Sequence, residues 1–398
     1  MTYQEAIDWL YELRLLGSKL GLENPRQLAA HAGNPHQSLK IIHIAGTNGK
    51  GSVCAMLESI YRSGGYKTGL FTSPHLVSFR ERIQVNREPI AEMEVVRLTE
   101  CMQALLRKFP AEQPPTFFEV ITVMALEYFA QCDCDIVLLE TGLGGRLDAT
   151  NIVNPIASVI TPISLDHQQY LGETLQEIGG EKAGIIKSAT PVFCANQQVP
   201  VAEIIERVAQ ECDAPLSLVG KGETDTSLSG RHQRENATLA KLVVENAGLT
   251  VSFESILQGL QDVQWQGRLE CVEKGHQKFI IDAAHNPAGV QALADFLQEN
   301  FSGQHPVLVI SALSDKNWEN AIELLSPLVS RIICVPVGSE RGVAPSQLAA
   351  FARQHCESVQ SYDSLTEGLG EVSDDTLVVI AGSAYLIGEV MDQLGLIE

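Results

Sequence analysis

Short apolar runs alternate with longer amphipathic stretches along most of the chain. The runs are continuously apolar, which is typical of strands that are covered on both faces of a parallel sheet. They lie at residues 40–46, 67–72, 134–141, 156–161, 191–195, 278–284, 306–311, 331–337 and 376–382. Helical patterns lie between several of them, at residues 51–65, 201–212, 285–301 and 319–330. The alternation predicts an α/β protein with doubly wound, parallel-rich sheets.

A polar segment that contains several glycines separates two groups of predicted strands. Residues 219–236 read as loop and hairpin, followed by one helical run and then by residues 259–270. We therefore expect a first domain of residues 1–268, a second domain of residues 269–398, and a hinge at about residues 261–270. A cleft between two α/β domains is a favoured place for a ligand site.

Composition narrows the classes of partner. The 398 residues include 28 basic and 49 acidic side chains, for a formal net charge of −21, and 45% of the residues are hydrophobic. This share of hydrophobic residues is sufficient for a large core. Proteins that bind nucleic acids or anionic membranes need a net basic surface, so the acidic balance argues against both kinds of partner. An apolar stretch of about 18 residues and a signal-peptide core are both absent from the sequence, so we expect a cytoplasmic protein. Nine scattered cysteines without a C-x-x-C pair predict free thiols.

Residues Gly46, Thr47, Asn48, Gly49, Lys50, Gly51 and Ser52 form the sharpest local motif. The motif follows an apolar strand and begins a helix, the context in which backbone amides and the helix dipole favour a bound phosphate. Lys50 could reach the terminal phosphates, and Ser52 offers a hydroxyl group to a magnesium ion. A glycine between Lys50 and Ser52 departs from the common G-x-x-x-x-G-K-[ST] spacing, so a ligand-free glycine-rich turn stays an alternative.

Polar side chains follow three other predicted strands. Ser73, Glu140 and His167 lie just beyond the carboxyl ends of these strands, where parallel strands meet at one edge of a sheet. Oxygen ligands with one imidazole suit Mg²⁺ that also contacts substrate phosphates. Taken singly, His167 reads as a structural histidine and Glu140 as a helix cap or a surface charge.

Four further residues have structural and functional interpretations. Lys182 by itself reads as a solvated helix lysine. Asp282 follows a strand and could accept hydrogen bonds from a ribose or hold an arginine, while Asn286 before Pro287 reads as a helix N-cap. Arg268 could place a guanidinium group over phosphates and stabilise the charge that develops during phosphoryl transfer.

Taken together, these motifs closely resemble the folylpolyglutamate synthase and dihydrofolate synthase group of the Mur ligase superfamily. The matching strings run in family order over nearly the whole chain. They are HIAGTNGKGS (43–52), TSPHLVSFRERIQVN (72–86), FFE (117–119), ETGLGGRLDATN (140–151), SLDHQQYLG (164–172), EKAGIIK (181–187), GRLE (267–270), DAAHNP (282–287) and GSAYLIGEV (382–390). The extra glycine after Lys50 is normal in this family.

The resemblance implies a Mur-ligase-like P-loop ATPase domain followed by a smaller Rossmann-like C-terminal α/β domain. It implies an ATP-dependent ligase that activates a carboxylate as an acyl phosphate, which the amine of L-glutamate then attacks. Thr47, Asn48, Gly49, Lys50, Gly51 and Ser52 would hold ATP phosphates, with Asn236 at the adenine and Arg268 and Asp282 reaching ATP from the linker and second domain. Two Mg²⁺ ions would bind at Ser73, Glu140 and His167. Lys182 would carry a carbamate, which overturns the solvated interpretation, and His285 would be a further site residue together with Lys50 and Lys182.

The acceptor would be dihydropteroate, a reduced folate, or both. The chain resembles the bifunctional type at residues 20–29 and at Thr116, Phe117, Phe118 and Glu119, which with Leu147, Asp148 and Ala149 lie where relatives hold a pterin. Aromatic side chains could stack on a flat ring and Asp148 could accept ring N–H bonds, although both phenylalanines also read as core residues. We also expect a monovalent cation at the site and a monomeric enzyme.

Several alternatives stay open at this point. An enzyme that only extends polyglutamate tails fits the same motifs. A peptidoglycan Mur ligase would need an additional N-terminal domain of about 100 residues, whereas about 40 residues precede the phosphate strand here. A P-loop NTPase switch predicts ATP turnover that does not depend on glutamate, and a non-catalytic nucleotide-binding module does not account for Lys50, Glu140 and His167 together.

Overall fold

The computed structural model describes residues 1–17, 21–220, 222–373 and 376–396. The described residues divide into two compact units. The first unit comprises Met1–Ser164, Gln168–Ser227 and Glu235–Val263, and the second comprises Leu165–His167, Leu228–Arg234 and Gln264–Glu398. The start of one predicted acceptor segment, Leu20, lies outside the described residues.

An eight-stranded sheet forms the centre of the first unit in the described part of the chain. Its strands are β1 (Ile41–Ala45), β2 (Thr68–Phe71), β3 (Ile83–Val85), β4 (Glu88–Pro89), β5 (Ile136–Glu140), β6 (Ala157–Ile160), β7 (Val192–Cys194) and β8 (Leu216–Leu218), in the order β4-β3-β2-β5-β1-β6-β7-β8. The six strands from β2 to β8 in this order are parallel, whereas β3 and β4 add an antiparallel edge. The central strand β1 is entirely buried, as its continuous apolar run predicts.

Helices accompany this sheet. They are α1 (Tyr3–Glu12), α2 (Glu23–His31), α3 (Lys50–Ser63), α4 (Glu92–Leu106), α5 (Phe117–Gln131), α6 (Gln168–Leu171), α7 (Leu175–Ala183), α8 (Val199–Glu211), α9 (Arg231–Asn246) and α10 (Phe253–Asp262). Helix α5 is apolar around most of its circumference, and its side chains share one buried cluster with Ile41 and with residues of α1, α2 and α4. A short 3₁₀ helix at Ala149–Ile152 adds Ile152 to that cluster.

The second unit contains a six-stranded sheet among its described residues. The strands are β9 (Glu270–Lys274), β10 (Gln277–Ile281), β11 (Val307–Ile310), β12 (Arg331–Cys334), β13 (Val359–Ser361) and β14 (Leu377–Ala381), in the order β13-β12-β11-β14-β10-β9. Among the strands described in this unit, β9 alone pairs antiparallel. The helices are α11 (Pro287–Asn300), α12 (Trp318–Leu325), α13 (Pro345–Ala352), α14 (Leu365–Gly370) and α15 (Ala384–Gln393).

The predicted fold class is confirmed, and every predicted apolar run contains a strand. The sequence interpretation of residues 219–236 as loop and hairpin is wrong at its end, because helix α9 already begins at Arg231. Two helices, α9 and α10, follow instead of one helical run. Lys221, inside the same segment, lies outside the described residues. Among the helices described, none has the length and the apolar character needed to cross a bilayer.

Candidate active site

The carboxyl ends of parallel strands bring several of the predicted residues together in the first unit. Strand β1 has β5 on one side and β6 on the other, and β2 pairs with β5. Gly46 therefore follows the central strand, Glu140 ends its neighbour β5, and Ser73 lies just beyond β2. These residues converge because the carboxyl ends of parallel strands lie at one edge of the sheet, as the sequence predicted for Ser73 and Glu140.

The glycines of the phosphate loop are required by close neighbours. Gly49 is the N-cap of α3 with φ 84°, and a Cβ atom there would lie 2.7 Å from the side-chain oxygen of buried Asn236. A Cβ atom at Gly46 would lie only 1.8 Å from Thr161 Oγ1. Glycine is the residue that fits at both positions. The predicted adenine-site residue Asn236 thus packs directly against the phosphate loop.

The first part of the loop is fixed to the segment after β6. The amides of Thr47 and Asn48 both donate to the carbonyl oxygen of Pro162, at 3.0 and 3.1 Å. The Thr47 hydroxyl donates to the Ser164 carbonyl and accepts from the Ser164 amide, both at 3.1 Å, and Asn48 donates to Ser164 Oγ at 3.2 Å. Phosphate contacts through the amides of Thr47 and Asn48, as the sequence suggested, would compete with these bonds. The internal hydrogen bonds of any α-helix do not use its first-turn amides, so the start of α3 is a place where a helix can bind a phosphate.

Two lysines and one carboxylate surround the loop. Lys50 Nζ donates to the carbonyl oxygens of Gly46 and Thr47, at 3.1 and 3.3 Å, and lies 4.0 Å from Glu140 Oε1. The buried Lys182 donates to the same Gly46 oxygen at 2.7 Å. The solvated interpretation of Lys182 is therefore wrong for this fold. Its amine reaches the phosphate loop across 136 residues of sequence.

The predicted metal ligands are partly assembled. Glu140 Oε2 accepts the Ser73 amide at 2.9 Å, so these two residues are neighbours, and the Glu140 side chain is only 5% exposed. In the described part of the chain, no group of three or more His, Cys, Asp or Glu side chains is placed to hold a metal ion. A site with few protein oxygens fits Mg²⁺, which keeps waters and binds substrate phosphates, better than it fits zinc. The donor set at Ser73 and Glu140 is therefore compatible with magnesium.

The third predicted ligand, His167, belongs to the second unit. There its neighbour Asp166 accepts from Lys316 Nζ at 2.5 Å, and His167 Nε2 lies 3.5 Å from the same nitrogen. His285 Nε2 lies 3.6 Å from Asp166 Oδ2. Although burial alone would raise the pKa of Asp166, its bond to His285 and the charge of Lys316 hold that pKa well below its ordinary value. Sequence analysis missed Lys316 because only tertiary contact connects it to the SLDH segment.

The other predicted residues of the second unit surround the end of β10. Asp282 is buried and accepts the amides of Leu269 and Ala284, at 2.7 and 2.8 Å. Burial raises the pKa of Asp282, and the positive charge of Arg268 opposes that shift. His285 Nδ1 donates to the Ala283 carbonyl at 2.8 Å, which holds the ring with its Nε2 edge toward Asp166. Asn286 caps α11 by accepting the Gly289 amide at 2.9 Å, as its structural interpretation predicted.

The segment predicted to hold the pterin ring begins helix α5. Thr116 and Glu119 form a capping box, in which the Thr116 amide donates to Glu119 at 2.6 Å. Phe118 packs against Gly142, where a Cβ atom would lie 2.4 Å from the ring, and Phe117 is buried in the aromatic core. The helix-capping role explains Thr116 and Glu119 without a ligand.

Asp148 organises the loop after β5. Its two oxygens accept the amides of Gly142, Leu143 and Thr150, at 3.0, 2.8 and 3.0 Å, and the Thr150 hydroxyl at 2.5 Å. Burial raises the pKa of Asp148, and these bonds oppose the shift. Four donors occupy the lone-pair sites of a carboxylate, so a ring N–H would have to replace one of them. Ala149 is buried beside Asp148, and the Leu147 carbonyl accepts the Gly21 amide at 3.4 Å.

An aromatic and cationic cluster next to Ser73 escaped the sequence analysis. Arg14 lies 4.0 Å above the ring of Tyr11 and 4.8 Å above that of Phe117, and Arg82 donates to His75 Nδ1 at 2.8 Å. Burial, followed by the charges of the two arginines, lowers the pKa of His75 to about 3. The TSPH and FRER strings were visible in the sequence, but their convergence with α1 depends on packing.

Comparison with known families assigns both parts of the chain to Mur ligases. The Mur ligase middle domain matches residues 44–260, and the Mur ligase glutamate ligase domain matches residues 267–384. The first match contains the phosphate loop, Glu140 and Lys182, and the second contains Arg268, Asp282 and His285.

Curated relatives and solved structures agree with these matches. The chain is 34% identical to the dihydrofolate synthase/folylpolyglutamate synthase of Bacillus subtilis, over 99% of each chain. It is 33% identical to the Escherichia coli protein of the same name, over 96% of this chain and 94% of the other. The solved folylpolyglutamate synthase of Thermotoga maritima superposes with a TM-score of 0.88 at 35% identity, covering 99% of this chain and 96% of that one. Escherichia coli FolC in complex with DHPP and ADP superposes with a TM-score of 0.87 at 31% identity, covering 98% of each.

Proposed function

Because the chain belongs to the dihydrofolate synthase and folylpolyglutamate synthase group of the Mur ligase family, we propose that it is an ATP-dependent bifunctional folate ligase. It joins L-glutamate to dihydropteroate, giving dihydrofolate, and to the γ-glutamyl tail of tetrahydrofolate. The observation that carries the proposal is the pairing of Lys50 with Glu140 at a glycine loop that ends the central strand. Such a loop supplies both the amides and the charge that a nucleotide's terminal phosphates require.

The proposed chemistry uses the phosphate loop to make a carboxylate reactive. The carboxylate oxygen of the acceptor attacks the γ-phosphorus of ATP, which releases ADP and leaves an acyl phosphate. Lys50 stabilises the negative charge that spreads over the transferring phosphoryl group. The glutamate amine then adds to the acyl carbon, loses a proton, and expels inorganic phosphate with the former carboxylate oxygen. Excluding water protects the acyl phosphate until the amine arrives.

Two Mg²⁺ ions complete the proposed site. Ser73 and Glu140, together with His167, would hold them. When bound, magnesium neutralises phosphate charge and polarises phosphoryl oxygens. The support in this chain is the neighbouring Ser73 and Glu140 beside Lys50, since these oxygen donors suit magnesium.

Lys182 has a separate proposed role as a carbamate. Addition of carbon dioxide to its amine would replace a cation by an anion next to Gly46, whose carbonyl oxygen is now 2.7 Å from Lys182 Nζ. A buried amine held beside the phosphate loop is the support for this role. A monovalent cation at the site belongs to the same proposal.

Further residues would contact the nucleotide and the amino acid. Asn236 would bind the adenine, and Arg268 and Asp282 would contact ATP from the second unit. His285, whose ring is held by the Ala283 carbonyl, would serve the glutamate side of the reaction. Solved relatives bound to ADP or AMPPCP support use of a nucleotide by this family.

The acceptor would lie near the loop that Asp148 organises and the start of α5. Phe117, Phe118, Leu147 and Ala149 supply apolar surface, and Thr116 and Glu119 hold the first turn of the helix. The solved Escherichia coli relative contains DHPP, which supports a small-molecule acceptor of this class. We propose a monomer that acts on small molecules in the cytoplasm, without nucleic-acid or membrane partners.

A narrower alternative is an enzyme that only extends polyglutamate tails. It is favoured by one relative, the folylpolyglutamate synthase of Lacticaseibacillus casei, which is 31% identical over 99% of each chain. The deciding experiment supplies labelled glutamate with ATP and either dihydropteroate or tetrahydrofolate in parallel. The proposal predicts labelled product with both acceptors. Product with tetrahydrofolate alone supports the narrower alternative, and ATP hydrolysis that ignores glutamate and acceptor supports an NTPase switch.

A further inference from the structure

A buried histidine on the central strand has no role in the chemistry described above. His43 lies on β1, three positions before Gly46, and its side chain is 0% exposed. Alternate residues of a strand share a face, so His43 faces the same side as Ile41, which belongs to the apolar cluster with Ile152 and Val153. An aliphatic residue would fill this position at a lower desolvation cost. The polar ring therefore requires a specific partner.

That partner is the Thr150 hydroxyl, 2.7 Å from His43 Nε2. The same hydroxyl lies 2.5 Å from Asp148 Oδ1. A hydroxyl has one proton, and a carboxylate that already accepts three amides acts as the acceptor. Thr150 therefore donates to Asp148 and accepts from His43, which fixes the proton of His43 on Nε2.

The opposite ring nitrogen is consistent with this assignment. His43 Nδ1 is buried without a hydrogen-bond partner among the described residues. In the assigned tautomer Nδ1 carries only a lone pair, and an unpaired buried acceptor is tolerated more readily than an unpaired buried N–H. The reverse tautomer would bury an unpaired donor and place two acceptors 2.5 Å apart.

The three side chains form one chain of hydrogen bonds between two functional segments. Asp148 closes the loop that starts at Gly142, and Thr150 stands in the short helix that follows it. His43 belongs to the strand that leads directly into the phosphate loop. The bonds therefore fix the position of the Asp148 loop relative to the strand that carries the phosphate loop.

We propose that His43 is a positioning residue for the acceptor: through Thr150 it sets the place of the Asp148 loop, and thereby the distance between the bound pterin acceptor and the phosphate loop. This inference rests on the proposed function, in which that loop lies against the acceptor. It assigns His43 an effect on acceptor affinity and none on nucleotide binding.

The test compares variants that remove the hydrogen bonds with variants that keep them. His43→Leu and Thr150→Val remove the donor and the bridge, whereas His43→Gln retains a side-chain N–H and Thr150→Ser retains the hydroxyl. Ile41→Val is the matched packing control, because it trims the same face of β1 without touching a polar group. Steady-state kinetics give KM for each acceptor, KM for ATP and kcat, and fluorescence titration gives the dissociation constant of dihydropteroate without ATP.

Removal of the bonds should raise the acceptor KM and the dihydropteroate dissociation constant about fivefold or more. A change of this size corresponds to the net free energy that one hydrogen bond contributes. KM for ATP should stay within about twofold in every variant, because the lysines and amides of the phosphate loop are unchanged. His43→Gln and Thr150→Ser should return toward the wild-type values. Ile41→Val should lower thermal stability and leave both KM values unchanged.

Two results would overturn the proposal. One is an unchanged acceptor KM in both His43→Leu and Thr150→Val. The other is a parallel rise in the KM values for acceptor and ATP that Ile41→Val reproduces, which would reduce His43 to a packing residue. The wild-type activity separately reports on the proposed function. If the wild type ligates neither acceptor, the proposed function fails, but the dihydropteroate titration still tests the positioning role of His43. If the wild type does not bind dihydropteroate, both the proposed function and the positioning role are contradicted.

Discussion

Lys50 and Glu140 are the charged pair around which the ligase chemistry is arranged. The proximity of Ser73 and Glu140 to the phosphate loop could be anticipated from their strand-end positions. The 4.0 Å between Lys50 Nζ and Glu140 Oε1 and the bond from the Ser73 amide to Glu140 come from the structure alone. The contact between Lys182 and the Gly46 carbonyl could not, because a helix lysine normally points to solvent and only the packing of α7 directs it inward. The four hydrogen bonds that occupy Asp148 were equally hidden, since their donors depend on the closed shape of the loop.

Replacement of Lys50 should abolish ligation. Lys50→Ala removes the positive charge that faces the transferring phosphoryl group, so we expect kcat to fall about a hundredfold or more. The exposed Lys40, just before β1, provides a control: Lys40→Ala should retain wild-type turnover. Phosphate release and glutamate incorporation measure both variants. Near-normal turnover of Lys50→Ala would exclude the proposed phosphate site.

Replacement of Lys182 tests the carbamate. Lys182→Ala should lose most activity, and added acetate should restore part of it by supplying a carboxylate in the vacated space. Lys187→Ala is the matched control, because Lys187 is a neighbouring lysine whose amine donates to the Asn151 carbonyl at 3.1 Å instead. Activity as a function of acetate concentration is the measurement. A loss without rescue would leave Lys182 as an amine that anchors the Gly46 carbonyl.

His43 should also make folding sensitive to acid. Burial lowers its pKa from 6.5 to about 3, so the unfolded chain binds more protons between these values and stability falls as the pH drops below 6.5. His43→Gln lacks this titration. Between about pH 7.5 and about pH 5.5 the wild type should lose about 1 kcal/mol more stability than His43→Gln. Urea unfolding at the two pH values measures this, and equal losses would show that His43 is not buried as a neutral ring.

At the scale of elements, the apolar runs predicted the central strands correctly and missed the edges. β4 is exposed, and β9 has a mostly exposed pattern, so neither shows the continuous apolar run of a covered strand. β3, β8 and β13 are only three residues long. The start of α9 at Arg231 was missed because residues 231–236 are polar and resemble a loop until their packing is known. The convergence of Tyr11, Arg14 and His75 likewise depends on how α1 packs.

The turn that begins α3 offers a prediction with a built-in control. Gly49 and Gly65 flank this helix with nearly equal φ angles of 84° and 85°, but a Cβ atom meets Asn236 only at Gly49 and open space at Gly65. Both alanine variants should lose about 1 kcal/mol of stability from backbone strain. Gly49→Ala should in addition raise KM for ATP about tenfold or more, because the loop must shift to avoid the 2.7 Å contact.

Thermal unfolding and ATP kinetics on the two glycine variants separate these effects. Gly65→Ala should retain the wild-type KM for ATP. If Gly49→Ala also retains it, the loop does not bind the nucleotide through the geometry described here.

At the scale of the whole molecule, two Mur ligase domains and a net charge of −21 describe an enzyme for small anionic substrates with a local cationic site. Bulk charge of this sign slows the approach of anions in general, so the lysines and amides at the sheet edge must provide local attraction. The distinction between a ligase and an NTPase switch therefore depends on the fate of the acceptor carboxylate. ATP turnover alone does not decide it.

The fate of the acceptor's carboxylate oxygen tests the central claim most directly. Dihydropteroate labelled with ¹⁸O in its carboxylate is incubated with ATP, glutamate and magnesium, and the released phosphate is analysed by mass spectrometry. An acyl phosphate predicts one labelled oxygen transferred to inorganic phosphate for each glutamate that is ligated. Unlabelled phosphate, released at the same rate with or without glutamate and acceptor, would contradict the account.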